Sequence, residues 1–202
     1  MQINEGQRLN ADELFSRLPH QLRNHSLRVG SCMHAMAEHA PELLSWYGFD
    51  SMDSLLIAAY DGGIYHEIGK LLMPMSEDQL AEQEDLHPIY GRWLLANCKN
   101  RFFDNQAYRW MVLDTVRFHR ILPSGREANH GVQTDKIPMA AILCAVADTF
   151  DTLVMRQRAS INDAMAYVRN NDSGLFSQKA VVCFEKSVFS LLKLYSQWEI
   201  AM

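Results

Sequence analysis

The stretch Ile64-Tyr65-His66-Glu67-Ile68-Gly69-Lys70 sets an imidazole beside a carboxylate between apolar residues and follows the pair with Gly-Lys. Burying both side chains demands compensation, by hydrogen bonds or by a cation that both can ligate. The pair is the expected centre of any metal site, and the question for the rest of the chain is which side chains can meet it.

On both sides of this stretch apolar residues recur at helical spacing. In residues 20–39, Leu22, Val29, Met33 and Met36 form one stripe with His25 and Cys32 beside it, ended by Pro41. Residues 11–18 predict a short amphipathic helix stopped by Pro19, and residues 41–47 another that stops near Gly48. A helix beginning at Met52 is expected to break at Asp61-Gly62-Gly63, just ahead of His66. His87-Pro88 places His87 at the mouth of a helix running to about Cys98, because proline disfavours helical backbone before it and suits the first helical position.

Residues 106–119 predict the next helix, with Tyr108, Met111, Val112, Thr115, Val116 and His119 on neighbouring turns. Residues 139–155 are apolar except for Asp148, Thr149, Asp151 and Thr152, so a packed helix is expected to carry Asp148 inward. Helices over about 160–170 and 177–198 follow. Residues 76–85 are acidic and read as a solvated surface segment. Residues 122–138, punctuated by Pro123, Gly125, Asn129, Gly131 and Pro138, read as a long loop lying over a site. With no strand alternation and no repeat, the chain reads as all-α, a single-domain bundle of about seven to ten helices.

Composition narrows the function. A chain of 202 residues that is 48% hydrophobic can bury one sizeable core. A net charge of −5 argues against a general binder of large nucleic acids or anionic membranes, although a local arginine cluster can still hold a phosphate ester. Cys32, Cys98, Cys144 and Cys183 form no CxxC pair and read as isolated buried thiols suited to a reducing compartment. The start, MQINEGQRLNADEL, has no basic region followed by an apolar run, and no stretch reaches the roughly 18 apolar residues that span a bilayer. A soluble, cytoplasmic protein is expected.

His25, His66, Glu67, His87, His119 and Asp148 fall at helix ends or on apolar faces. A lone buried histidine is more often a hydrogen-bonded core residue than a ligand. Together, nitrogen and oxygen ligands without thiolates suit iron, manganese, zinc or magnesium, and a carboxylate among histidines suits a pair of such ions. His20, His34, His39 and His130 lie outside this set and read as surface or core residues.

The order His25, His66-Glu67, Asp148 resembles the H…HD…D signature of the HD superfamily of metal-dependent phosphohydrolases, with glutamate in place of aspartate. His66-Glu67-Ile68-Gly69-Lys70 with Pro74, His87-x-x-x-Gly91, Val116-Arg117-Phe118-His119, Ile137-Pro138, Ala147-Asp148-Thr149-Phe150-Asp151-Thr152-Leu153 and Gly174-x-Phe176 resemble its HD-GYP branch. The resemblance implies an HD-domain helical bundle over residues 20–202, preceded by an N-terminal extension over residues 1–19. It also implies hydrolysis of cyclic di-GMP or another nucleotide phosphodiester at two divalent metal ions, iron or manganese, with zinc, magnesium or nickel as alternatives. His25, His66, Glu67, His87, His119 and Asp148 match ligand positions, with His66-Glu67 between the metals. Lys70 matches the lysine that positions water or phosphate and is expected on the same helix as His66-Glu67, facing the same side, so Glu67 and Lys70 are the implied catalytic residues.

The chain also departs from that pattern. Gln21 stands where a glutamate is frequent, Arg120 where a second histidine follows His119, and Pro123-Ser124-Gly125-Arg126-Glu127-Ala128-Asn129 keeps neither the tyrosine nor the proline of GYP. Glu67 is one methylene longer than aspartate, and a shift of on the order of 1 Å in an active site can cost about 100-fold. Arg120, Arg126, Arg156 and Arg158 are candidate phosphate contacts or, equally, solvated surface charge. Two readings stand: a metal-dependent phosphodiesterase for a small nucleotide, or a catalytically impaired domain that binds a nucleotide or a protein. A homodimer or a signalling protein is the expected macromolecular partner.

Overall fold

Asn10 starts the first helix through a capping box: its side chain accepts from the Asp12 amide at 2.9 Å while Glu13 accepts from the Asn10 amide at 3.3 Å. The structure, a computed structural model, describes residues 10–73, 84–99, 104–122, 136–170 and 175–200. Within them lie nine α-helices: α1 (Ala11–Ser16), α2 (His20–Ala37), α3 (Glu42–Tyr47), α4 (Met52–Tyr65), α5 (His87–Asn97), α6 (Gln106–Phe118), α7 (Met139–Asp151), α8 (Ile161–Asn170) and α9 (Gln178–Ile200). A 3₁₀ turn at Ile68–Leu72 follows α4, another at Glu84–Leu86 leads into α5, and a π-helical turn at Thr152–Arg156 extends α7. Among the described residues there is no strand beyond one isolated bridge, Asn10 with Lys99. The all-α reading holds.

Two expectations change. The helix from Met52 does not break at Asp61-Gly62-Gly63 but runs on to Tyr65. The glycines serve packing there: a Cβ on Gly63 would stand 2.6 Å from the Gly30 Cα, and one on Gly62 3.0 Å from the Thr115 hydroxyl. Their bare backbones let α4 press directly on α2 and α6, which are its most extensive neighbours. Lys70, expected on one helix with His66-Glu67, lies instead on the 3₁₀ turn that follows α4. Pro74, most of the acidic 76–85 segment, the loop with Pro123, Gly125, Arg126, Asn129, His130 and Gly131, and Gly174 lie outside the described residues.

All nine helices contribute to one hydrophobic cluster, from Ala11 and Leu14 of α1 to Phe184, Leu191 and Tyr195 of α9. α2 sits at its centre, packed on α4, α7 and α9, while α5 covers the 3₁₀ turn and α6. The ends of α4 and α7 are thereby brought beside the first half of α2, and the end of α6 and the start of α5 meet the end of α4 and the residue after it. No helix among the described residues is long and apolar enough to cross a membrane.

Candidate metal centre

His66 and His119 occupy the same local position, each the residue that caps the C-terminus of its helix, α4 and α6. The last carbonyls of a helix lack intrahelical donors, and each histidine supplies one. His66 Nδ1 donates to the Gly63 carbonyl at 2.6 Å and His119 Nδ1 to the Val116 carbonyl at 3.0 Å. Using Nδ1 in this way fixes the tautomer and turns the Nε2 lone pair outward from the helix end. Both rings are buried. The His66 and His119 rings meet edge to face with centroids 5.1 Å apart, and His25 lies 5.2 Å from His66 on the other side.

His87 is the first residue of α5, as the His-Pro pair predicts, and Pro88 follows in the first turn. Its Nε2 stands 3.1 Å from His119 Nε2. His25, from the second turn of α2, places Nε2 3.2 Å from Asp148 Oδ1. Two atoms that share one ion at bonds of about 2.0–2.1 Å stand about 3.0–3.4 Å apart at octahedral or tetrahedral angles. Both pairs have that spacing. Glu67 lies between them, with Oε1 3.8 Å from His66 Nε2 and Oε2 3.7 Å from His87 Nε2. Ligand atoms of His25, His66 and Glu67 all lie within 4.8 Å of one another.

Electrostatics favours cation binding. Burial pushes the His66 imidazole down to about 4, the nearby Glu67 and Asp148 only partly opposing it, so the ring is neutral at pH 7. His119 is likewise held low by burial and by His66 and His87. Burial disfavours ionising Glu67, yet His66, Lys70 and His87 draw its carboxyl down to about 2. Asp148 is held below the usual carboxylate range because its bond to His25 and the surrounding imidazoles outweigh burial. The cluster thus offers neutral imidazoles at His66 and His119 and ionised carboxylates at Glu67 and Asp148. His25, bonded to Asp148 and Asp151, is raised to about 9 and must give up a proton to ligate. His66 Nε2, fully buried, has no hydrogen-bond partner, which is costly for a neutral core site and fits the role of a metal ligand.

Asp148 is the less enclosed of the two aspartates on α7: its side chain keeps 17% exposure, against none for Asp151. The expectation that Asp148 is the carried-in carboxylate is therefore only partly met, because Asp151, one turn on, points into the interior. Asp151 joins His25, Arg28 and Tyr195 in one bonded group. Arg28 and Asp151 stand one helical turn beyond His25 and Asp148, a spacing visible in the sequence. Tyr195 carried no signal, being far along the chain.

Lys70 Nζ sits 2.8 Å from Glu67 Oε2 and stays partly open to solvent. Arg156 and Arg158 are exposed and, with Gln21, Leu22, His25 and Arg28, line a pocket of about 450 Å³ that opens at His25. Arg158 holds φ at 58°, a left-handed backbone conformation uncommon outside glycine, directly after the π-helical turn. Arg120 is half-buried and directly follows His119, and Arg126 is outside the described residues.

The HD domain family model matches residues 22–153, more than half of the chain. The chain belongs to the HD domain family. Among relatives of this HD domain, the cyclic di-GMP phosphodiesterase response regulator RpfG of Xanthomonas campestris pv. campestris (strain 8004) is 27% identical over 148 residues, covering 67% of this chain and 38% of that protein. The structure of Bd1817, an HDG"Y"P protein from Bdellovibrio bacteriovorus, matches with a TM-score of 0.55 at 17% identity, covering 90% of this chain and 58% of that one. The chain spans less than two thirds of the length of either. The order His25, His66-Glu67, Asp148 lies within the residues that the family model matches, and the likeness to Bd1817 is one of fold.

Proposed function

We propose that this HD domain is a phosphodiesterase for a small nucleotide, cyclic di-GMP being the first substrate to test, working at two divalent ions of iron or manganese. The observation that carries the reading is the pairing of His25 with Asp148 and of His87 with His119 at ion-sharing distances on either side of Glu67. His25, His66 and Asp148 would hold one ion, His87 and His119 the other, with Glu67 reaching both. Such ions, when bound, supply a nucleophilic water near neutral pH and offset charge on the phosphate.

The chain's own residues then divide the remaining work. Glu67 orients the reacting water. Lys70, partly exposed beside it, offers a point charge to a phosphate oxygen. Arg156 and Arg158 offer guanidinium contacts from the rim of the pocket at His25, which is of a size suited to a small ligand. Arg120 and Arg126 are read as further phosphate contacts. The name of the Xanthomonas relative supports cyclic di-GMP.

The domain is placed at residues 20–202 with residues 1–19 as an extension. α1 of that extension is fastened to the body by Tyr65 and Lys99. Four buried, unpaired thiols suit the cytoplasm, and a second copy or a signalling protein is the proposed partner. The second reading is a regulatory nucleotide-binding module with impaired catalysis. It is favoured by Lys70, whose ion pair with Glu67 already engages one oxygen of the longer carboxylate.

The test is metal content after purification without oxygen, followed by hydrolysis of a phosphodiester panel in Mn²⁺. Close to two iron or manganese ions per chain with turnover supports the enzyme. Less than a tenth of an equivalent and no hydrolysis overturns it, and two ions with tight nucleotide binding but no turnover selects the regulatory module.

A further inference from the structure

Asp151 is a fully buried carboxylate, so every lone pair it leaves unmatched is costly. Its Oδ1 accepts from Arg28 Nε at 2.5 Å and from the Tyr195 hydroxyl at 2.7 Å. Its Oδ2 accepts from Arg28 Nη2 at 3.0 Å and from His25 Nδ1 at 2.6 Å. A carboxylate has about four acceptor sites, and these four bonds use them. Asp151 therefore has no capacity left for an ion, unlike Asp148, which faces the other nitrogen of the same ring.

His25 is thus held between two aspartates one helical turn apart, its Nδ1 toward Asp151 and its Nε2 toward Asp148. Because Nδ1 donates to a saturated carboxylate, Nε2 is the atom left to ligate, and the ring cannot turn without breaking a buried bond. The holders of Asp151 are themselves fixed. Arg28 is buried on α2 with its guanidinium over the Trp198 ring, 5.4 Å from the centroid. The Tyr195 ring packs on Phe150 at 5.0 Å, and Phe150 packs on Phe184 of α9 at 5.2 Å.

We propose that Asp151 is a positioning residue that sets the tautomer and angle of His25 for metal binding, and that Arg28 and Tyr195 hold it there, making α9 part of the metal centre. The proposal rests on the metal-centre reading. It predicts that a helix distant in sequence from every ligand controls metal affinity.

The test uses the full chain and Mn²⁺ titration of the parent, Asp151→Asn, Tyr195→Phe and His66→Ala, with circular dichroism of each. Loss of 10–100-fold in Mn²⁺ affinity is expected for Asp151→Asn, the range for outer carboxylates on ligating histidines, with a smaller loss of the same sign for Tyr195→Phe. If His66→Ala binds Mn²⁺ like the parent, the metal-centre reading itself falls. If His66→Ala loses binding while folded Asp151→Asn and Tyr195→Phe bind within about twofold of the parent, the positioning role alone falls. Should Asp151→Asn not fold, ¹⁵N spectra of the histidines in the Zn²⁺-loaded parent decide. A proton on His25 Nδ1 is expected, and an unprotonated Nδ1 overturns the proposal.

Discussion

His87 Nε2 and His119 Nε2 face each other at 3.1 Å, one from the start of α5 and one from the end of α6. His119 Nδ1 already donates to the Val116 carbonyl, so its Nε2 points a lone pair at His87. Two imidazole nitrogens held this way gain most from a shared cation. Adding Mn²⁺ to metal-free protein is therefore expected to raise its melting temperature, by the equivalent of about 2.7 kcal/mol at a concentration 100 times Kd. His119→Ala should remove most of that gain. An unchanged melting temperature in the parent across a Mn²⁺ titration would contradict the pairing.

Stability of the metal-free protein should fall as pH rises above neutral. Burial alone would lower the His25 imidazole, but Asp148 and Asp151 on its two nitrogens outweigh it and raise it from 6.5 to about 9. The folded state then keeps a proton that the unfolded chain gives up near 6.5. The contribution is fully present below pH 6.5 and is lost as pH rises through about 9. Thermal melts in a chelator between pH 6 and 10 measure it, with His25→Gln expected to flatten the slope. Loading metal at pH 7 should release protons to the buffer, because Nε2 must be deprotonated to ligate.

Gly69 lies between Glu67 and Lys70 on the turn that α5 covers, and a Cβ there would stand 1.9 Å from the His87 carbonyl and 2.5 Å from the Gly91 amide. Both obstacles are backbone, which cannot swing aside. Gly69→Ala should cost at least about 1–3 kcal/mol, the usual range for overpacking, and should lower Mn²⁺ affinity by displacing His87. Urea unfolding gives the first quantity and metal titration the second. Parent-like values in both would show that the turn and α5 are not tightly joined.

The extension ahead of the family match should prove integral to the domain. Tyr65, adjacent to His66, is buried and donates its hydroxyl to Asp12 of α1 at 2.6 Å. Asp12→Ala leaves that hydroxyl without its acceptor and should destabilise by about 1–3 kcal/mol. Tyr65→Phe should cost less, since the hydroxyl is removed rather than stranded. Equal melting temperatures for the parent and Asp12→Ala would mark α1 as a detachable lead-in.

The sequence by itself determined the helical class and the candidate ligands. Helix periodicity and proline punctuation are local properties, so α2, α5, α6 and α7 were legible to within a few residues, and His87-Pro88 announced its own helix start. His25, His66, Glu67, His87, His119 and Asp148 stood out because polar side chains on apolar faces are costly unless used. Gly62 and Gly63 misled, since glycine signals a break locally and only packing reveals a close helix contact. Only the tertiary structure decided that Glu67 lies between His66 and His87, that Lys70 reaches it from a 3₁₀ turn, and that Asp151 rather than Asp148 is the fully buried aspartate. Those facts depend on how α5 covers the turn after α4 and on how α2, α7 and α9 pack together. A hydrogen bond such as Tyr195 to Asp151 spans chain positions whose spacing has no period.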